Sequence, residues 1–250
     1  MKVIAIMNQK GGEAKTTTVR NLSYILSQKK KKVLTIDMDS QGNLTTNSGI
    51  LKREVPTIVD VFNGTHNVQD VIVNVSKNLD HIPSNLSLSE FALFLDKTTG
   101  WTRLLKDSIE NIKENYDYIL IDCPPALDFS TYNALCAADD IIITLQAEEN
   151  SVEGISDLIR SINMIREREN DSLKVCGIVI TKFKKATNLQ NQFKELLSNH
   201  FGELVFNTVI RDNIKISEAN HSHKSIVEFD KNSNGAKDYI SLSKEVLKRI

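Results

Sequence analysis

Residues 6–22 read IMNQKGGEAKTTTVRNL. An apolar run leads into paired glycines, a lysine and three threonines, and helix-forming residues follow. A glycine-rich turn that opens into a helix points main-chain N–H groups at an anion and needs no side chain to do so. On this reading Gly11, Gly12, Glu13 and Ala14 form the turn, with Thr17 in its first helical positions. Lys15 reaches the β- and γ-phosphates of a nucleotide and the Thr16 hydroxyl binds Mg2+. Two residues depart from the pattern. The slot before Lys15, ordinarily glycine, is Ala14, whose Cβ crowds the approach of backbone to phosphate or strains the turn. Glu13 sets a negative charge near an anionic ligand. Like charges about 4 Å apart cost roughly 1 kcal/mol in water and about 4 at an effective dielectric of 20. The expectation is binding of a magnesium nucleotide that survives, weakened, with slow hydrolysis.

Outward from this turn, short apolar runs alternate with helix-length amphipathic segments. Strands are expected at 2–8, 32–39, 116–123, 140–146, 174–183 and 203–210. Several are continuous Ile/Val/Leu runs, as in strands buried on both faces of a parallel sheet. Helices are expected at 15–28, 86–95, 101–114, 129–138, 151–168, 187–199 and 234–249. Such alternation implies an α/β fold, a doubly wound and mostly parallel sheet flanked by helices. Residues 41–80, rich in Asn, Thr, Ser and Gly, read as a loop and short-helix insertion. No linker or repeat interrupts the chain, so one domain over 1–250 is expected, without an N-terminal helix-turn-helix domain.

The composition, 40% hydrophobic and 25% charged, is that of a soluble globular protein. No apolar run approaches the roughly 18 residues of a membrane span, and a cytoplasmic location is expected. Cys123, Cys136 and Cys176 show no metal-ligand spacing and read as buried reduced thiols. Net charge is −1, so contact with nucleic acid requires a local patch. The run KKKK at 29–32 suits the C-terminal end of the first helix, where cations complement the dipole.

Acids stand where the phosphate chemistry needs them. YILID ends in Asp122, the Walker-B place, whose carboxylate holds Mg2+ or its water. VLTIDMD puts Asp37 and Asp39 two residues apart, on one face of a strand. A carboxylate there can orient an attacking water beside the γ-phosphate.

With these residues in place, QKGGEAKTTT resembles the deviant Walker A of the ParA/MinD superfamily, with its signature lysine at Lys10. VLTIDMDSQGNLT is similar to the second box, IDCPPALD with NALCAADDIIITLQAEENSVEG to the third, and TVIRDNIKISEA with NGAKDYISLSKEV to the C-terminal stretch. The likeness is greatest to the small ParA/Soj subgroup of plasmid and chromosome partition ATPases. It implies ATP/ADP and Mg2+ as cofactors and a nucleotide-dependent homodimer. Lys10 then acts on the partner's phosphates and Lys15 on its own, Asp37 positions the attacking water, and Thr16, Asp122 and Asp39 serve Mg2+. It places Thr181 and Lys182 of ITKF near the adenine, whereas Arg211 replaces the proline of the usual adenine loop. Ser40 and Glu149-Asn150 are milder departures.

The same resemblance implies nonspecific DNA and a ParB-type centromere-binding protein as partners, and association with the nucleoid. Lys182, Lys184, Lys185, Arg211 and Lys215 are the candidate DNA contacts; Ala186 stands where an arginine is common, so Lys185 substitutes for it. A MinD-like membrane ATPase is the first alternative. It requires an amphipathic basic C-terminal anchor, and AKDYISLSKEVLKRI, without Trp or Phe, is expected to pack on the sheet instead. The second is a pseudo-ATPase adaptor silenced by Glu13-Ala14. A nitrogenase-reductase-like role is disfavoured by the cysteine pattern.

Overall fold

The computed structural model of the chain describes residues 1–95, 100–148, 151–184 and 187–250. β1 (Lys2–Met7), β2 (Val33–Asp37), β3 (Val73–Ser76), β4 (Leu79–Ile82), β5 (Tyr118–Asp122), β6 (Asp140–Gln146) and β7 (Lys174–Thr181) form one sheet, ordered β3-β4-β2-β5-β1-β6-β7. Neighbours run parallel except β3 and β4. The expected doubly wound α/β architecture is present.

α1 (Lys15–Gln28) follows β1. α2 (Asn43–Asn47) and α3 (Ile58–Phe62) precede β3, and α4 (Ser87–Phe94) and α5 (Leu104–Ile109) precede β5. α6 (Phe129–Ala137) and α7 (Ser151–Glu169) frame β6, and α8 (Asn188–Phe201), α9 (Ile214–His221), α10 (Ile226–Phe229) and α11 (Asn234–Arg249) follow β7.

Because side chains alternate across a strand, each strand feeds two cores. Val3, Ala5 and Met7 of β1 join one cluster with Leu135, Ile155 and Leu158. Ile4 and Ile6 join the other, with Val19, Leu22, Tyr239 and Leu242. α11 thus lays its apolar stripe on the sheet through Tyr239, Leu242 and Val246, as its pattern implied. The three cysteines are buried, and burial pushes the Cys136 thiol up to about 11 and that of Cys176 up to about 12.

Three expectations are corrected. Residues 203–210 do not form a strand. Val205 makes an isolated bridge to Ile178, and Phe206 and Ile210 donate N–H bonds to Ile178 and Ile180. In place of a ladder, Asn207 and Thr208 give their N–H groups to Glu245 of α11. Residues 41–80 hold not only short helices but β3 and the first half of β4, so the insertion extends the sheet. The helix expected over 101–114 is α5 flanked by 3-10 turns at Trp101–Arg103 and Lys113–Asn115.

The parallel strands end together on one edge. The loop after β1, Asp37, Asp122, Gln146 and Thr181 are all carboxyl ends of strands. The chain leaves β1 toward β2 on one side, and β5 connects to β6 on the other, so the sheet opens a crevice at β1.

Candidate functional site

β1 ends at Met7, and residues 8–14 turn into α1 over that crevice. Asn8 donates to the Thr144 carbonyl at 2.6 Å and its Oδ1 accepts from Lys10 N. Gly12 takes φ +79°, which glycine adopts freely. Ala14 takes φ 61°, ψ 26°, in the left-handed region where a Cβ costs about 1–2 kcal/mol. The turn thus adopts at position 14 a conformation that suits glycine, with an alanine in it. No side chain caps the start of α1, which leaves its first N–H groups facing the cleft.

That cleft encloses about 510 Å³ and is lined by residues 11–17, Asp39, Gln41, Thr181, Lys182 and Asn220, among others. Lys15 Nζ lies inside, donating to the Lys10 carbonyl at 3.2 Å. Burial lowers the Lys15 pKa, with the Asp122 carboxylate opposing that shift.

Glu13 does not project freely at the ligand position. Its carboxylate accepts the main-chain N–H of Gln146, the last residue of β6, and the residue is 2% exposed. Gln146 returns a bond, Nε2 to the Gly12 carbonyl at 3.0 Å, and Thr181 Oγ1 donates to the Glu13 carbonyl at 3.4 Å. Burial raises the Glu13 pKa, offset by the bond from Gln146 and the charge of Lys10.

Thr16 Oγ1 donates to Asp122 Oδ2 at 2.7 Å, which joins two of the three residues expected at the metal; Asp39, the third, lines the cleft. Asp122 Oδ1 is buried without a hydrogen-bond partner. Burial, then the neighbouring Asp37, raises the Asp122 pKa well above the carboxylate range. An orphaned carboxylate oxygen beside a second buried acid is a place where a cation is electrostatically favoured. No group of three or more His, Cys, Asp or Glu among the described residues could hold a metal by itself.

Asp37 is placed differently from the expectation. It is fully buried, and its oxygens accept from Thr45 N at 2.9 Å, Thr45 Oγ1 at 2.8 Å and Asp39 N at 3.1 Å. Burial pushes its carboxyl up to about 6, against those bonds. Asp39 is the carboxylate that lines the cleft. Beneath them Thr45 Oγ1 meets His81 Nε2 at 3.1 Å, and His81 Nδ1 meets Thr35 Oγ1 at 2.9 Å. With the Thr45 hydroxyl proton on Asp37, His81 carries its proton on Nε2 and accepts at Nδ1.

The expected rim cations divide. Lys10 does not line its own cleft and donates to Glu148, a bond that raises its pKa. Lys182 lines the cleft. Arg211, expected to contact DNA, is instead clamped on Asp238 of α11, with its Nη2 at 2.6 Å and its own N–H at 3.0 Å from that carboxylate. Lys184 pairs with Asp212 at 3.6 Å and Lys215 with Glu218 at 2.7 Å. Lys185, Ala186, Glu149 and Asn150 lie outside the described residues.

Gln146 and Asn220 escaped the sequence reading. Gln146 is signalled only as the polar residue closing an apolar strand; Asn220, which donates to Thr17 Oγ1 at 3.3 Å, carries no local signal.

A family model describing an AAA domain matches residues 1–175. The chain is 40% identical over 247 residues to the sporulation initiation inhibitor protein Soj of Bacillus subtilis, covering 98% of each. It is 38% identical over 253 residues to the chromosome partitioning protein ParA of Caulobacter vibrioides, covering all of this chain and 95% of that one. Among solved structures, a putative plasmid partition protein from Borrelia burgdorferi bound to AMPPNP superposes with a TM-score of 0.84 at 31% identity, over 100% and 99% of the two chains. Cobyrinic acid a,c-diamide synthase from Mycobacterium smegmatis, with ADP and magnesium, gives 0.86 at 28%, over 99% and 94%.

Proposed function

Because the chain belongs to the ParA/Soj family of P-loop ATPases, we propose that it binds Mg·ATP at the head of α1 and hydrolyses it slowly as a DNA-bound partition ATPase. One observation carries this reading: the phosphate turn keeps its anion-binding conformation, with Gly12 and Ala14 both at positive φ and Lys15 inside the cleft. The uncapped N–H groups of α1 and Lys15 would hold the phosphates, and Thr181 and Lys182 would lie toward the base.

Thr16 and the free oxygen of Asp122 fit a magnesium ion that arrives with the triphosphate. Such an ion neutralises charge on the phosphates. Asp39 takes the water-orienting role in place of Asp37, because it faces the cleft while the oxygens of Asp37 are bound to Thr45 and Asp39.

Lys10 suits action in trans. Its side chain is 62% exposed and does not line its own cleft, so a second copy closing over the site can receive it. Nucleotide then holds the dimer and hydrolysis releases it. DNA would be met through Lys184, Lys215 and Lys182, and a ParB-type partner would stimulate turnover, with the protein in the cytoplasm on the nucleoid. The membrane alternative loses support because the apolar face of α11 is buried in the core, and no helix among the described residues is long and apolar enough to cross a membrane.

The test combines light scattering with DNA retention. ATP should double the mass, Lys10→Ala should prevent the doubling while ATP still binds, and DNA retention should need ATP. Retention that is unchanged without nucleotide removes the partition role. Retention with ATP but no turnover, even with DNA and a cognate partner, favours the adaptor.

A further inference from the structure

The Glu13-Ala14 pair looks like damage when set beside the glycine-containing pattern, yet the structure gives both residues a place. Ala14 holds φ 61°, a conformation an alanine leaves readily when nothing restrains it. Next to it, Glu13 is almost wholly buried. A carboxylate is rarely taken from water unless its lone pairs are used. Here one is used on the N–H of Gln146, 133 residues away in sequence. The Gln146 side chain closes the circuit on the Gly12 carbonyl, and Thr181 Oγ1 reaches the Glu13 carbonyl. Residues 12 and 13 are thus fastened to the end of β6, and the Thr181 hydroxyl of β7 is shared between the carbonyls of Glu13 and Leu145.

We propose that Glu13 is a positioning residue for the phosphate turn: its side chain bolts the turn to the end of β6 and holds Ala14 in the left-handed conformation that anion binding needs. The two departures are then a matched pair. An alanine at 14 requires the bolt, and the bolt lets an alanine serve where glycine would otherwise be needed. The inference rests on the nucleotide reading of the cleft, but its geometry belongs to the protein without ligand.

Three substitutions separate positioning from charge. Glu13→Gln keeps an acceptor for Gln146 N–H and removes the charge. Glu13→Val removes both, and Ala14→Gly removes the need for restraint. Binding of a fluorescent ATP analogue should be severalfold to about tenfold weaker in E13V than in E13Q, the scale of one neutral hydrogen bond. That gap should shrink severalfold when A14G is added to each. Amide hydrogen exchange in nucleotide-free protein gives a second readout: the Gln146 amide should exchange faster in E13V and stay protected in E13Q.

With Ala14 in place, equal affinity of E13V and E13Q overturns the proposal, as does a gap that A14G leaves unchanged, or tighter binding by E13V than by the wild-type protein, which would make Glu13 only a repulsive charge. Equal Gln146 exchange in all three proteins overturns it as well. That readout needs no ligand, so failure of the wild-type protein to bind ATP counts against the proposed function and leaves the bolt to be judged by exchange alone.

Discussion

Asp37 closes β2 and accepts three hydrogen bonds, two from Thr45 and one from the Asp39 amide, while Asp39 stands past the strand end and faces the cleft. Their consequences on mutation should therefore differ in kind. Asp39→Ala should abolish phosphate release while a nucleotide titration stays near wild type. Asp37→Ala strands the buried Thr45 donors, and chemical denaturation should show a loss of at least about 1–3 kcal/mol. Turnover retained in the Asp39 variant would return the water-orienting role to Asp37. The sequence could pair these acids but not rank them. A period of two puts 37 and 39 on one face only while the strand continues, and β2 stops at Asp37. Glu13 was illegible for a related reason. Its charge can be read locally, but its partner lies on another strand, and only folding shows that the carboxylate is occupied.

At the scale of elements, the central strands were legible because each is a continuous apolar run, and β6 matches its expected bounds residue for residue. β4 was not, since Leu79–Ile82 contains Asp80 and His81, residues that propensity assigns to loops. Tertiary context overrides that preference. His81 is accepted into the sheet because both ring nitrogens are matched, by Thr35 and Thr45. Burial, then the Arg20 cation, pushes its pKa down to about 3, so the ring stays neutral in the fold while the unfolded chain protonates near pH 6.5. Between those values the unfolded state binds more protons, and stability must fall as pH is lowered, by up to about 1.4 kcal/mol per pH unit for this group. Other groups titrate in the same window, so the difference between proteins is the measurement. Wild-type melting should drop more steeply between about pH 6.5 and 4.5 than that of His81→Gln. Parallel profiles would mean that the ring is protonated in place or solvated.

At the scale of the whole molecule, a net charge of −1 gives no general attraction to nucleic acid, so DNA binding has to arise from a few cations brought together. The fold removes Arg211 from that set by locking it on Asp238, and leaves Lys184 and Lys215 exposed beside Asp212 and Glu218. Exposed ion pairs of this sort are worth about 0–1 kcal/mol, less than a phosphate gains by releasing condensed counterions, so DNA can displace the acids. On the proposed reading a patch so small would hold DNA only when a dimer doubled it, which would tie retention to ATP without any nucleotide-induced change in the patch itself. Two consequences can be measured. Lys215→Ala should weaken retention equally for all DNA sequences and lower the slope of log affinity against log salt by about two, one for each protomer. Arg211→Ala should leave that slope unchanged and lower the melting temperature instead, because Asp238 loses the guanidinium and keeps only the main-chain N–H of residue 211. A salt slope that responds to Arg211 and ignores Lys215 would move the DNA-binding face to the rim of the cleft.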